Sequence, residues 1–134
     1  MMKNTQCLSA RLESIMLIDD DHITNFLHER LIRKLNLSKE IIIKNNGKEA
    51  LLHLEDISKQ CIPLPSLIFL DINMPVLNGI DFIKMLRKKS FSKFIKIVFL
   101  STSNADQDIQ KIKQLGNYEC INKPLTAEKI FQLM

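Results

Sequence analysis

The chain has 134 residues, of which 46% are hydrophobic and 25% charged, and this balance is typical of one globular domain with a proper core. The net charge of +4 is too small to predict a nucleic-acid-binding protein, and strand-sized apolar runs such as 97–100 are too short to span a membrane. No signal peptide opens the chain, and Cys7, Cys61 and Cys120 are scattered and odd in number, so we expect a cytoplasmic protein with reduced thiols and no zinc site.

The first half of the chain alternates short apolar runs with helical patterns. Residues 1–13 are polar and predict a short irregular leader before a domain at 14–134. A strand is expected at 15–18, a helix at 22–36, a second strand at 41–43 and a second helix from Glu49. The side chains expected to face the core are, in the first helix, Ile23, Phe26, Leu27, Leu31 and Leu35 and, in the second, Ala50, Leu51, Leu54 and Ile57.

The second half repeats the alternation after a proline-containing loop at 61–65. The apolar run 67–70 predicts a buried strand that ends at Asp71, and Pro75 and Asn78 mark a turn behind it. A helix from Gly79, a strand at 95–100, a helix at 105–115, a strand at 118–121 and a last helix with Thr126 as its N-cap follow. The expected core residues of the Gly79 helix are Ile80, Ile83, Met85 and Leu86.

Strands that alternate with helices predict an α/β fold. We expect a doubly wound five-stranded parallel sheet with helices on both faces. In such a sheet the carboxyl ends of several strands open on one edge, which is where open α/β proteins place their ligands.

Polar side chains follow the strands at that edge. They are Asp19 and Asp20, Asp71, Ser101 and Lys123. Asp71 taken alone fits two interpretations, because aspartate is also a common turn residue. Carboxylates that lie close together repel unless a cation neutralises them, and an all-oxygen cluster suits Mg²⁺. With a lysine and a hydroxyl donor nearby, the set contains the parts needed for phosphoryl transfer, and Asp71 is the candidate nucleophile.

These motifs together resemble the response-regulator receiver family of two-component signalling. The matching features are Asp19-Asp20, the stretch 70–75 with Asn78-Gly79 behind it, Ser101, which lies 30 positions after Asp71, and Lys123-Pro124, which begins 52 positions after Asp71. The resemblance covers about residues 14–134. It implies a flavodoxin-like fold with strand order 2-1-3-4-5 and a stand-alone receiver similar to the chemotaxis regulators. The Lys123–Pro124 peptide is often cis in this family.

The resemblance also implies a role for each acid. Asp71 would be the phosphoacceptor. Asp20 and Asp71 would bind Mg²⁺ through their side chains, Asn73 would bind it through its backbone carbonyl, and Asp19 would contribute through water.

Two donors and one departure from the family pattern concern the residues expected to respond to phosphorylation. The resemblance makes Ser101 the hydrogen-bond donor to the phosphoryl group and Lys123 its ion-pair partner. The family usually has an aromatic residue where this chain has Cys120. Tyr118 lies two residues earlier and therefore on the same face of the strand, so it takes over part of that role or merely covers the sheet edge.

Residues beside the acid are expected to tune the lifetime of the phosphoryl group. Asn73 and Ser103 flank the site, and Thr102 stands where the family prefers Ala or Gly. The added bulk of Thr102 is expected to narrow access to Asp71.

The implied partners are a histidine kinase or phosphotransfer protein as donor and an unidentified downstream protein that binds the face of helix four, strand five and helix five. We expect a monomer or weak dimer that is not an enzyme beyond its own phosphorylation and dephosphorylation, and that binds neither nucleic acid nor membrane. One alternative is a pseudo-receiver, a binding module without phosphotransfer. The other is an aspartyl-phosphate hydrolase, but such enzymes need a second acid where this chain has Asn73.

Overall fold

The computed structural model describes residues 11–102 and 106–133, and strands and helices alternate throughout these two ranges. The strands are β1 (Leu12–Ile18), β2 (Ser38–Lys44), β3 (Leu67–Asp71), β4 (Lys96–Ser101) and β5 (Glu119–Asn122). The helices are α1 (His22–Leu35), α2 (Gly47–Lys59), α3 (Gly79–Leu86), α4 (Asp106–Leu115) and α5 (Ala127–Leu133), and a short 3₁₀ segment at Ser90–Phe94 precedes β4.

The strands form one parallel sheet in the order β2-β1-β3-β4-β5. The predicted α/β fold is therefore confirmed, and so is its strand order. β1 lies between β2 and β3, so the carboxyl ends of β1 and β3 are neighbours although about fifty residues separate them in sequence. This order places the acids that follow β1 beside the acid that ends β3.

The sheet has a hydrophobic core on each face, because successive side chains of a strand point to opposite sides. Met16 and Ile18 belong to the core under α2, α3 and α4, whereas Ile15 and Leu17 belong to the core under α1 and α5. Ile32 and Ile130 are the fully buried contributions of α1 and α5 to the second core. Both faces are covered, as the near-continuous apolar strands predict.

Several helices begin at a residue whose side chain caps the first turn. These caps define where the preceding loops end. Asp21 caps α1 by accepting from the N–H of Ile23, and Asn78 caps α3 by accepting from Asp81. The Thr126 hydroxyl accepts from the N–H of Lys129, which confirms the predicted N-cap of α5. Such caps satisfy backbone N–H groups that have no partner inside the helix.

The predicted buried face of α1 is wrong. Ile23, Phe26 and Leu27 are 69%, 56% and 52% exposed, whereas Asn25, His28 and Ile32 face the sheet and are buried. The other two predicted core residues, Leu31 and Leu35, are half-buried against the core. The apolar spacing predicts the helix correctly but not its rotation about its own axis, because two polar residues on the opposite face find hydrogen-bond partners in the interior.

Smaller differences occur elsewhere. β1 begins at Leu12, so residues 12 and 13 belong to the sheet rather than to the leader. In α3, Met85 is 44% exposed, and the fully buried Phe82 packs into the core with Ile83 and Leu86. The inward side of α2 is as predicted. Among the described residues, no helix is both long enough and apolar enough to cross a bilayer.

Candidate functional site

Asp71 is the last residue of β3, and its side chain is buried with 4% exposure. The chain turns over the sheet edge and returns so closely that a Cβ on Gly79 would lie 2.5 Å from the Asp71 carbonyl oxygen. The Gly79 N–H also donates to the Ile72 carbonyl oxygen at 2.8 Å. Glycine is therefore required at position 79, and it brings the start of α3 against the backbone of the acid.

Three carboxylates meet at this edge. One oxygen each from Asp19, Asp20 and Asp71 lies within 4.8 Å of the other two, with Asp19 and Asp71 buried and Asp20 exposed. The third acid of the run, Asp21, is exposed and is used as the cap of α1, where hydrogen bonds from the Thr24 hydroxyl and the Ile23 N–H lower its pKa. The structure thus separates two acids of the run that face Asp71 from one that holds the helix.

Lys123 reaches into the acid cluster from the end of β5. Its Nζ lies 2.6 Å from Asp19 Oδ2 and 3.4 Å from Asp71 Oδ1. The Lys123 N–H donates to the Ser101 carbonyl oxygen at 2.8 Å, which holds the Lys123 backbone at the end of β4. The Lys123–Pro124 peptide is cis. Burial disfavours the ammonium, but the hydrogen bond that Lys123 donates to Asp19 and the negative charge of Asp71 outweigh burial and raise the pKa of Lys123.

The pKa of the Asp71 carboxyl is strongly shifted. Burial, and then the negative charge of Asp19, raise its pKa to about 6, although Lys123 opposes the shift. One ammonium therefore does not neutralise the two buried carboxylates. The unbalanced negative charge and the all-oxygen donor set fit a hard divalent cation such as Mg²⁺, which binds through one or two carboxylates and retains water.

Ser101 is the last residue of β4 and is 1% exposed. Its hydroxyl donates to Asn122 Oδ1 at 2.8 Å, and the two residues are register partners in the β4–β5 pair. Asn122 is a residue of this site that the sequence motifs do not single out. Its position immediately before Lys123 on a strand paired with Ser101 was the available signal, but that register becomes visible only in the sheet.

The flanking residues are more exposed. Asn73 is on the surface, and its Nδ2 donates to Asp108 Oδ2 of α4 at 3.2 Å, so it links the loop after β3 to that helix. Thr102 is exposed in the bend after β4. Ser103 lies outside the described residues. Val76, also in the loop after β3, is 77% exposed and has a φ of 72°, which is unusual for a β-branched residue.

Tyr118 and Cys120 pack on the same core, the one under α2, α3 and α4. The Tyr118 ring makes an edge-to-face contact with Phe99, with ring centres 5.7 Å apart. Cys120 pairs with Phe99 in register and is half-buried, and this burial raises the pKa of its thiol. A raised thiol pKa does not favour thiolate reactivity.

Comparison with known proteins agrees with this geometry. Residues 15–134 match the family model of the response regulator receiver domain. The chain belongs to the response-regulator receiver family. The receiver is 31% identical over 129 residues to the two-component response regulator ARR22 of Arabidopsis thaliana, covering 95% of this chain and 84% of that protein. It is 27% identical over 121 residues to the response regulator Rcp1 of a Synechocystis strain, covering 90% of this chain and 82% of the relative.

Solved structures show the same architecture. A two-component response regulator from Cytophaga hutchinsonii superposes on the receiver with a TM-score of 0.79 at 33% identity, covering 92% of this chain and 94% of that one. A response regulator from Legionella pneumophila gives a TM-score of 0.77 at 30% identity, with 90% and 94% coverage. Receivers of this family act in two-component signalling, where they interact with histidine kinases or phosphotransfer proteins.

Proposed function

We propose that this receiver accepts a phosphoryl group on Asp71 from a phosphohistidine of a histidine kinase or phosphotransfer protein. The observation that carries the proposal is the site around Asp71: two further acids lie within 4.8 Å, and Lys123 contacts both buried carboxylates. A pseudo-receiver has no need for a buried acid whose negative charge is only partly balanced. Isolated buried charge is costly, so a binding partner for it is expected.

The transfer replaces one bond to phosphorus with another. A carboxylate oxygen of Asp71 attacks the phosphorus, the P–N bond to the donor imidazole breaks, and the imidazole nitrogen keeps the electron pair and takes up a proton. The product is an acyl phosphate on Asp71, which later reacts with water to restore the carboxylate. Lys123 is placed to neutralise phosphoryl oxygens, since its Nζ already lies beside Asp71.

Mg²⁺ is the proposed cofactor. Asp20 and Asp71 would hold it through their side chains, Asn73 through its backbone carbonyl, and Asp19 through water. When bound, it supplies positive charge toward phosphoryl oxygens. Asp71 is the residue that gains most from such a cation, because its ionised form is the nucleophile and its pKa of about 6 lies close to neutrality.

Acyl phosphate formation tests this function directly. Wild-type receiver incubated with acetyl phosphate and Mg²⁺ is expected to gain the mass of one phosphoryl group, and Asp71→Asn is expected to gain none under the same conditions. Intact mass measurement reads both. Omission of Mg²⁺ by chelation is expected to abolish the gain in wild type.

Three other outcomes of this experiment would contradict the proposal. An unchanged wild-type mass overturns the proposal in favour of a pseudo-receiver. An adduct that persists in Asp71→Asn places the accepting group elsewhere. Repeated turnover of a phosphate ester through a short-lived phosphoaspartate would favour the hydrolase alternative, although the exposed Asn73 amide offers no acid at the required place.

We further propose that phosphorylation changes the face formed by α4, β5 and α5 for a downstream protein. The Ser101 hydroxyl would leave Asn122 and donate to the phosphoryl group, and Lys123 would shift toward it. Two charge-assisted hydrogen bonds contribute about 1.5–3 kcal/mol each. Shifting a two-state element from mostly one form to mostly the other needs about 5.5 kcal/mol, so these two contacts bias the switch with little margin.

Amide hydrogen exchange measures this switch. Phosphorylated receiver is expected to show altered exchange in β5 and in the adjoining parts of α4 and α5, while α2, on the far side of the sheet order, stays unchanged. Tyr118 reports the same face, because its edge-to-face contact with Phe99 would change with β5. Identical exchange maps for phosphorylated and unphosphorylated protein would contradict the switch.

A further inference from the structure

The buried face of α1 carries two polar side chains. Asn25 and His28 are each 3% exposed and lie on the same side of the helix as Ile32, which is completely buried. Polar groups at such positions lower stability unless they are hydrogen-bonded. Their partners therefore indicate why these residue types occupy a face that leucine or isoleucine would otherwise fill.

The partners are backbone groups of the two segments that flank Asp71. Asn25 Nδ2 donates to the Asp19 carbonyl oxygen at 2.8 Å. The Leu125 N–H donates to His28 Nε2 over a long distance of 3.4 Å. Asp19 follows β1, and Leu125 follows Lys123 by two residues. One helical turn thus contacts both the segment that carries the buried acid and the segment that carries the lysine.

We propose that Asn25 and His28 are positioning residues that set the distance between Lys123 and Asp19 and so hold the lysine beside Asp71. The proposal rests on the proposed phosphoryl transfer for its consequence, because only then does the place of Lys123 affect a rate. The Lys123–Asp19 contact of 2.6 Å joins the same two segments at their charged ends. α1 joins them at the backbone, so neither segment is held by the ion pair alone.

The hydrogen bond between the Leu125 N–H and His28 depends on properties of both residues. Leu125 is 5% exposed and packs in the core with Ile130 and Ile32, so its backbone N–H is sheltered from water. His28 accepts at Nε2, which requires an imidazole whose proton is on Nδ1. Burial lowers the pKa of His28 and so supports the neutral ring, although the charge of Asp19 opposes this shift. A hydrophobic residue at position 28 would leave the Leu125 N–H without its acceptor.

A pair of substitutions at position 28 separates positioning from packing. His28→Leu removes the acceptor at similar volume, and His28→Gln places an amide oxygen at about the reach of Nε2. With acetyl phosphate and Mg²⁺, His28→Leu is expected to accept phosphate 10- to 100-fold more slowly, as for residues that orient ligands of a reactive centre. His28→Gln is expected to recover most of the wild-type rate. Asn25→Leu, which removes the donor to Asp19, is expected to slow phosphorylation in the same way.

Ile32→Val is the matched control, since it trims the same buried face without touching a polar contact. It is expected to lower stability slightly and leave the phosphorylation rate unchanged. The inference is overturned if His28→Leu reacts at the wild-type rate, if His28→Gln is as slow as His28→Leu, or if Ile32→Val is slowed as much.

Exchange of the Leu125 amide gives a readout that does not depend on phosphorylation. It is expected to be faster in His28→Leu and near wild type in His28→Gln and Ile32→Val. If wild type takes up no phosphate, the proposed function fails. Exchange of the Leu125 amide then tests the hydrogen bond to His28 by itself. Equal exchange of that amide in wild type and His28→Leu would then overturn the positioning role.

Discussion

In metal-free solution at pH 8, Asp71→Asn is expected to be more stable to unfolding than wild type by about 3 kcal/mol. The folded-state pKa of Asp71 is raised to about 6 from an ordinary value of 3.8, first by burial and then by the charge of Asp19. A raised carboxyl pKa means that the folded protein holds the proton more tightly than the unfolded chain. The stability contributed by that proton is fully present below about pH 4 and is lost as the pH rises through 6. Asparagine has no ionisation to oppose folding.

Chemical denaturation of both proteins between pH 4 and pH 8, with a chelator present, measures this difference. The free energies of unfolding are expected to converge near pH 4 and to separate as the pH approaches 7. Because the other acids titrate in both proteins, the difference between the two curves isolates Asp71. Added Mg²⁺ is expected to narrow the gap at pH 8 by favouring the carboxylate of wild type. A difference that is constant with pH would contradict the buried, charge-coupled position of Asp71.

Lys123→Met is expected to slow phosphorylation by acetyl phosphate by roughly 100- to 1000-fold, the cost of removing one group that stabilises developing negative charge. The same change is expected to lower the free energy of unfolding at pH 8 by about 3–5 kcal/mol, because it leaves Asp19 and Asp71 buried without their cation. The stability loss should be smaller near pH 5, where Asp71 is largely protonated before the lysine is removed.

Lys88→Met is the control for loss of a lysine as such. Lys88 is exposed just after α3, and its replacement is expected to change the free energy of unfolding by no more than about 0.5 kcal/mol. Phosphorylation measured by intact mass over time, together with denaturation at both pH values, completes the test. A Lys123→Met receiver that reacts like wild type would exclude the lysine from the reaction.

The grouping of polar residues at one edge of the sheet follows from sequence patterns that predict strands. Short apolar runs that end in Asp19, Asp71 and Ser101, each followed by a helical pattern, predict a parallel sheet, and parallel strands bring their carboxyl ends to one edge. The structure has this sheet, with Asp19, Asp20, Asp71 and Lys123 in contact or nearly so. The roles assigned to these residues in phosphoryl transfer stay predictions until the experiments above are done.

The orientation of α1 shows where such rules stop. The spacing of Ile23, Phe26 and Leu27 predicts a buried stripe, yet all three are more than half exposed. The spacing of apolar residues shows which face of a helix is more hydrophobic. It does not show which hydrogen-bond partners the polar residues on the opposite face will find in the folded protein. For His28 that partner is a backbone N–H 97 positions away.

Sequence patterns predict the elements, the parallel sheet and, apart from Asn122, the polar residues at its edge, because strand periodicity and strand-end position are local properties of the chain. The tertiary structure alone decided which acid of the run 19–21 caps α1, that Ser101 donates to Asn122, and that Asn25 and His28 lie inside. Each of these depends on a donor or acceptor brought by another segment. Hydrogen bonds are directional and act over about 3 Å, so their pairing exists only once the backbone has been placed.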